Sequence, residues 1–490
     1  MTKFFYTLPI GLQRLLSGKN LKARVARGSV VVAAGSGIDQ GLRLVRNVIL
    51  TRLLAPEAFG LMAIVLAVNT FFESFTDVGI DTAIVQNAGS EDAAYLNGAW
   101  WISFGRAVGL YALVFAEAPW IGHFYRQGSI AALMRVAFLG TLFRGAMSPR
   151  TYVAHKKMDF KRLVAINQGA GLCGILLTVV LALAIPGVWA LTIGYASEAA
   201  VRCMLSFVLC PYRPGLQFDK AALRRIYDYS RGLFGMPILT FIYLRADIFV
   251  IGKLESTALL GIYSMVAGLG RVPLSLAGTP MAQIVNPAFS EIQNNPDRLR
   301  STLLRITSAF SLVSFPTMVL VGFYGKDLLL ILYGARYAQA AEPLAVIFVS
   351  AMLGVASVPV LAIYFMTGRP QLNRFFAVVR TVLILILIYP ATRLYGVIGA
   401  AAAVLASMVV ACGFQVVRLQ KVIGLNPWQY MGAFARGFPY SLPIVAVWLA
   451  THGRLDLGPL AHFVMGSLAC LAGFVAFLIR QARRDSAYQN

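Results

Sequence analysis

Residues 49–64, ILTRLLAPEAFGLMAI, align without a gap on residues 250–265, VIGKLESTALLGIYSM, at a shift of 201. Leu53 meets Leu254, Gly60 meets Gly261, and the basic Arg52 meets the basic Lys253. The pairing points to an internal duplication. Each copy ends one apolar run and opens the next, so the chain reads as runs joined by tight turns. Six runs separate the two copies. An even number gives both halves one orientation, related by an axis along the membrane normal. Substrate would then sit between the two halves.

Composition says what the runs are. The 490 residues are 58% hydrophobic and only 13% charged, about half the charge of an ordinary soluble chain. Runs of about 20 apolar residues, enough to cross a bilayer, recur throughout. Fourteen are predicted: 25–53, 60–80, 94–117, 130–148, 162–185, 188–209, 231–254, 259–289, 302–324, 343–366, 372–391, 395–417, 435–451 and 459–480. Each should be helical, because a spanning segment must satisfy its own backbone hydrogen bonds. The expected fold class is an all-α integral membrane protein with about 14 transmembrane helices. It comprises two six-helix lobes, 25–209 and 231–420, joined by a cytoplasmic linker at 210–230. Two extra helices and a cytoplasmic tail occupy 421–490. Residues 1–24, with Phe4, Phe5 and Leu8 among Arg14 and Lys19, form a basic interfacial segment, read as a short surface helix or a disordered tail.

The net charge of +23 comes from 43 Lys and Arg against 20 Asp and Glu. Such an excess suits nucleic acid, acidic ligands or a membrane surface. Position decides: 27 of the 43 basic residues fall on the predicted cytoplasmic side and six on the other, the inside-positive bias of a multi-pass protein. Both termini are expected in the cytoplasm, and no nucleic-acid role is expected. The five cysteines form no CxxC pair, so no disulfide, metal site or cofactor is expected.

The remaining ten basic residues lie within predicted helices. An ionisable group at mid-bilayer costs roughly 2.5–3.5 kcal/mol on insertion scales, so it needs a cavity or a partner. Asp39, Arg43 and Arg46 share one face of helix 1, and Asn69, Glu73 and Asp77 one face of helix 2. Helix 7 carries Arg245 and Asp247; Arg106, Arg271 and Arg380 sit mid-run in helices 3, 8 and 11. Glu198 and Arg202 are spaced as a self-neutralising pair. Asp39 and Arg43 read equally as such a pair or as cavity residues. Arg52, Arg135 and Arg144, nearer to run ends, are expected to reach the interface. Arg106, Arg245, Arg271 and Arg380 have no acid three or four positions away, which favours a water-filled cavity over interhelical salt bridges. Tyr243, Tyr263, Tyr364 and Trp101 read as packing or interfacial residues before sugar-stacking ones. Bending is expected in helix 7 at Gly232, Gly235 and Pro237, and in helix 8 at Pro273 and Pro280.

TRLLAPEAFGLMAIV (51–65) followed by FTDVGIDTAIVQ (75–86) resembles the opening of the polysaccharide transporter family, the lipid-linked oligosaccharide flippases. HKKMDF (155–160), RADIFVIGKL (245–254) and LLLILYGARYAQAAEPL (328–344) resemble its later landmarks. The likeness covers most of 25–420. It implies the fold of the multidrug/oligosaccharidyl-lipid/polysaccharide exporter superfamily. The function it implies is an O-antigen-type flippase of the bacterial inner membrane. Such a protein moves polyprenyl diphosphate-linked oligosaccharide for surface or exopolysaccharide synthesis, among membrane lipids and alongside polymerase and export machinery. Guanidinium suits such cargo, gripping phosphate or carboxylate oxygens in pairs. Substrate binding is therefore expected at Arg43, Arg46, Arg106, Arg245, Arg271 and Arg380, and ion coupling at Asp39, Glu73, Asp77 or Asp247.

Three alternatives remain. A lipid II flippase shares the fold. An organic-cation exporter would need an excess of carboxylates, whereas seven mid-run arginines face five acids. An enzyme would need catalytic groups on a sizeable outer loop, yet the longest, 325–342, is short, and His123, His452 and His462 stand isolated. The chain has no GxxxxGK[ST] phosphate loop, so ATP hydrolysis is not expected. No enzyme activity is expected.

Overall fold

The computed structural model describes residues 21–76, 84, 92–215, 235–452 and 458–487. Among the described residues the regular structure is helical, with no strand. Asp77 and Gly232 lie outside the described residues, as does most of the expected interfacial segment 1–24.

The helices follow the predicted runs closely. They are α1 (Leu21–Leu53), α2 (Pro56–Thr76), α3 (Ala93–Phe124), α4 (Ser129–Ala137), α5 (Leu139–Gly145), α6 (Arg150–Lys156), α7 (Phe160–Ala184) and α8 (Val188–Leu209). There follow α9 (Met236–Leu254), α10 (Thr257–Gly270), α11 (Thr279–Glu291), α12 (Pro296–Leu332), α13 (Ala341–Met366), α14 (Pro370–Ile423), α15 (Pro427–Ala435), α16 (Leu442–Thr451) and α17 (Pro459–Ala487). Among the described residues, eight helical stretches are long and apolar enough to cross a membrane, or nine if the bent pair Ser129–Gly145 and Arg150–Lys156 is one span. The chain is an all-α, multi-pass membrane protein. The helices α1, α8 and α9 are long but carry charges at mid-length; these charges make up much of the candidate site.

Helix starts follow local chemistry. Proline opens α2, α12, α14 and α15, where its missing N–H would have no partner anyway. Asn295 caps α12 by accepting from Arg298 N at 3.0 Å, and Asn426 caps α15 by accepting from Trp428 N at 2.9 Å. Ser256 caps α10 by accepting from Leu259 N at 3.2 Å.

Several elements differ from expectation. The runs 372–391 and 395–417 are two helices within the range given for α14, and they meet with no intervening loop at Gly396, whose φ 59° and ψ −140° break the helix in a conformation that favours glycine. The run 259–289 is α10 and α11 joined through a wider turn, Leu274–Gly278, just after Pro273. Pro237 lies in the first turn of α9, which starts only at Met236 after Gly235 at φ 97°. It therefore initiates the helix rather than bending its middle. The loop expected at 325–342 is largely helical: α12 continues to Leu332, and Ala335–Ala340 form a 3-10 turn.

The duplication is visible at residue level. α1 ends at Leu53 and α9 at Leu254; α2 starts at Pro56 and α10 at Thr257, all at the shift of 201. The chain divides into two compact units. One contains the described residues of Met1–Arg46 and Val68–Ile238, the other those of Asn47–Ala67 and Leu239–Asn490. The second has a core of Val285, Phe289, Leu303, Ile363, Phe376 and Leu419 from α11 to α14. In the first, α7 and α8 pack closely where Gly174 faces Glu198: an added Cβ would lie 2.7 Å from the Glu198 Cβ. Small residues of this kind allow membrane helices to approach.

Candidate functional site

In the second unit, α9 presents Tyr243, Arg245 and Asp247 on one stretch, spaced by two residues. Asp247 is 1% exposed. Its Oδ2 accepts from Arg271 Nη2 at 2.6 Å and from Tyr263 OH at 2.7 Å, while Oδ1 accepts from Ile248 N at 2.9 Å. Arg271 caps the end of α10, and Tyr263 lies two turns earlier in that helix. The sequence preference for open cavity over salt bridge therefore meets an interhelical salt bridge at Arg271. The two residues are 24 positions apart, beyond what helical spacing reveals.

Arg245 and Arg380 differ. Among the described residues, neither makes a hydrogen bond or ion pair with a carboxylate. The Arg380 guanidinium lies 4.1 Å from the Tyr243 ring centroid, a cation–π contact, and its Nε is buried without a partner. Arg245 and Arg380 each lie within electrostatic reach of Arg271. Asp247 pairs with Arg271 and is also felt by Arg245, while Arg380 rests on Tyr243; three guanidinium groups against one carboxylate leave a surplus of two positive charges. Desolvating an unpaired ion costs several kcal/mol, so this surplus marks a place that an anion would stabilise.

The first unit holds the other expected residues. Arg43 Nε pairs with Asp39 Oδ2 at 2.8 Å on α1, and Arg202 Nη2 with Glu198 Oε1 at 2.6 Å on α8. Arg43 also feels the Glu198 charge. Arg46 lies one turn beyond Arg43 and is itself engaged. Arg106 donates to the Thr76 carbonyl at 3.0 Å, and its Nε is buried without a partner. Glu73 accepts from Arg144 Nη2 at 2.6 Å and from Thr141 Oγ1 at 3.0 Å. Arg144 also donates to Tyr195 OH at 2.7 Å and to Asn69 Oδ1 at 3.1 Å. It therefore turns inward to a polar network instead of reaching the interface, because Glu73 and Asn69 on α2 offer better acceptors than the membrane surface.

Other sequence readings are sorted by the same geometry. Tyr364 is fully buried in the core of the second unit; Tyr263, also fully buried, is engaged by Asp247, and Trp101 Nε1 donates to Gly215 O at 3.0 Å. Arg135 lies 4.4 Å from the Phe115 ring centroid. Arg52 reaches the Ile331 carbonyl at 3.1 Å, near the end of α12. His462 is not isolated. Its Nδ1 lies 2.6 Å from Asp327 Oδ2 and its Nε2 3.2 Å from Thr451 Oγ1, which fastens α17 to α12. Among the described residues, no group of His, Cys, Asp or Glu could hold a metal ion.

Among the described residues, apolar helices with mid-helix charges gathered in two units have the architecture of a membrane transporter. It superposes on the lipid II flippase MurJ in an inward closed conformation with a TM-score of 0.76 and 13% identity, covering 92% of this chain and 100% of that one. At that identity the likeness establishes the fold. Residues 49–342 match the polysaccharide biosynthesis protein family. The chain belongs to that family. It is 23% identical over 470 residues to the lipopolysaccharide biosynthesis protein WzxC of Escherichia coli (strain K12), covering 94% of each chain. It is also 22% identical over 300 residues to the succinoglycan biosynthesis transport protein ExoT of Rhizobium meliloti (strain 1021), covering 61% of this chain and 60% of the other.

Proposed function

We propose that the protein is a flippase of the bacterial inner membrane. It carries polyprenyl diphosphate-linked oligosaccharide units outward for surface or exopolysaccharide synthesis. It works by alternating access through an arginine-lined cavity, as two six-helix lobes (25–209 and 231–420) with two appended helices and both termini in the cytoplasm. The observation that carries this reading is the surplus of Arg245, Arg271 and Arg380 over Asp247. A surplus of two positive charges in low-dielectric surroundings suits a diphosphate and repels an organic cation. Arg43, Arg46 and Arg106, in the first unit, are further cargo-binding candidates from the sequence.

No chemical step is required of the chain, and we read it as a transporter without enzyme activity. A dianionic headgroup leaving a negative-inside cell gains about 2.3 kcal/mol per charge per 100 mV. Asp39, Glu73 and Asp247 each face an arginine within 2.8 Å. Cation coupling at any of the three would begin with the opening of that pair; Asp77 remains a candidate from sequence.

The test is translocation by purified protein in liposomes. A fluorescent polyprenyl diphosphate-linked oligosaccharide should cross only in vesicles containing the protein, faster when the potential favours exit of the anion. Ethidium transport without movement of the lipid-linked glycan would overturn the proposal in favour of a cation exporter.

A further inference from the structure

Tyr243 and Asp247 stand four residues apart on α9, one turn along a single helical face. Each receives one arginine of the second unit. The Asp247 carboxylate takes Arg271, and the Tyr243 ring takes Arg380, whose guanidinium carbon lies 4.1 Å from the ring centroid.

The register between two helices sets the second contact. Thr381 Oγ1 donates to Leu239 O at 3.4 Å, which fastens the first of the two α14 helices to α9 one turn before Tyr243. Arg380 is the residue next to Thr381, so its guanidinium falls over the ring.

The two arginines end in different electrostatic states. A carboxylate neutralises the cation that it holds. An aromatic face attracts a cation through its quadrupole and leaves the net charge uncompensated. Within electrostatic reach of Arg380 are Tyr243, Cys412 and Arg271. Phenols and thiols carry no charge at pH 7, and the third group is another cation. Among the described residues no acceptor bonds Arg380 Nη1 or Nη2, and Nε is the one of its nitrogens that is both buried and without a partner. An oxoanion arriving in the guanidinium plane meets the Nη1–Nη2 edge, two parallel donors of the kind that hold phosphate oxygens in pairs.

We infer that Tyr243 is a positioning residue for anion binding: its ring fixes Arg380 as a charged donor that no acid of the protein neutralises. The inference rests on the proposed polyprenyl diphosphate cargo and names a residue through which that cargo is held. An acid at position 243 would hold the guanidinium equally well, but it would cancel the charge that the diphosphate needs. A ring holds it without that loss. The role differs from the sugar stacking considered for Tyr243 from sequence, because here the ring acts on the cargo through Arg380.

The test is saturable binding of tritiated geranylgeranyl diphosphate to the full-length protein in nanodiscs, corrected for empty nanodiscs. Wild type should bind it, and geranylgeraniol, which lacks the diphosphate, should not compete. Tyr243→Leu should raise the half-saturating concentration about tenfold, and Tyr243→Phe, which keeps the ring, should restore it. Tyr243→Glu should abolish binding while the unfolding midpoint stays equal or rises, because the new acid pairs with Arg380. In an Arg380→Ala background, Tyr243→Leu should have no further effect on binding. Wild-type affinity in Tyr243→Leu beside a loss in Arg380→Ala overturns the positioning role alone, and a lowered midpoint at that unchanged affinity would make the ring a packing residue. Failure of Tyr243→Phe to restore binding overturns it too, by assigning the effect to the hydroxyl. Absence of saturable binding in wild type overturns the diphosphate cargo and this inference with it.

Discussion

Gly60 on α2 and Gly261 on α10, 201 residues apart, pack against each other's helix in the same way. A Cβ on Gly60 would collide with the Thr257 carbonyl, and a Cβ on Gly261 with the Pro56 carbonyl. Thr257 is itself Pro56 shifted by 201. The contact is self-complementary, as in a two-fold dimer interface, and the residues that suggested the duplication are those that touch.

Alanine at either glycine must push the helices apart. Overpacking of this kind costs about 1–3 kcal/mol. Gly60→Ala and Gly261→Ala should each lower the unfolding midpoint of the purified protein. The double variant should lose less than the sum, because both substitutions relax the same contact. Gly413→Ala, with open space around its Cβ, should leave the midpoint unchanged. Equal midpoints for Gly60→Ala and Gly413→Ala would refute the close crossing.

The Glu73–Arg144 pair predicts a different pattern. Arg144→Leu strands Glu73, Asn69 and Tyr195 without their shared donor, and an unsatisfied buried polar group costs about 1–3 kcal/mol. Both charged side chains retain about 30% exposure (32% and 29%), which keeps the loss below that of a fully buried pair. Adding Glu73→Leu should recover part of it. A double variant less stable than Arg144→Leu would show that the pair is no structural unit.

Much of the fold was legible because bilayer crossing imposes length and apolarity on each segment. Proline and asparagine at residues 56, 295, 296, 426 and 427 then mark where helices start. What escaped depends on residues far apart in the chain. Spacing of four revealed Asp39–Arg43 and Glu198–Arg202, but Arg144–Glu73, Arg271–Asp247 and His462–Asp327 span 71, 24 and 135 positions. An open cavity of the first unit, lined by Asp39, Arg43, Asn167, Gln168 and Arg202, left one trace, the polar dipeptide Asn167–Gln168 inside an apolar run. The motif HKKMDF (155–160), legible only as a family landmark, is a tight turn: Met158 at φ 57° reverses the chain and sets the His155 and Phe160 rings edge to face.

Topology can be checked directly. A reporter enzyme fused after Asn490 should read cytoplasmic, as should one inserted in 210–230. A periplasmic signal after Asn490 would mean an odd number of spans and would invalidate the charge-based orientation.

The His462–Asp327 contact ties the appended helices to α12, with Tyr324 4.7 Å from the imidazole, centroid to centroid. His462→Ala should leave Asp327 without that partner and speed proteolysis between α16 and α17, while glycan export falls less than twofold. A large export loss at unchanged proteolysis would instead assign His462 to transport.

The most direct test of the central claim is glycan export by Arg245→Ala, measured in cells lacking the native flippase and normalised to membrane-inserted protein. Arg271→Ala is a poorer probe, because it strands the buried Asp247 and costs about 3–5 kcal/mol of stability. Arg245 makes no ion pair among the described residues, so its removal relieves repulsion with Arg271 and leaves the unfolding midpoint equal or higher. If the cationic surplus receives the cargo, export should fall at least tenfold while inserted protein stays near wild type, and Arg245→Lys should restore a part. Wild-type export from Arg245→Ala, repeated with Arg380→Ala, would contradict the account.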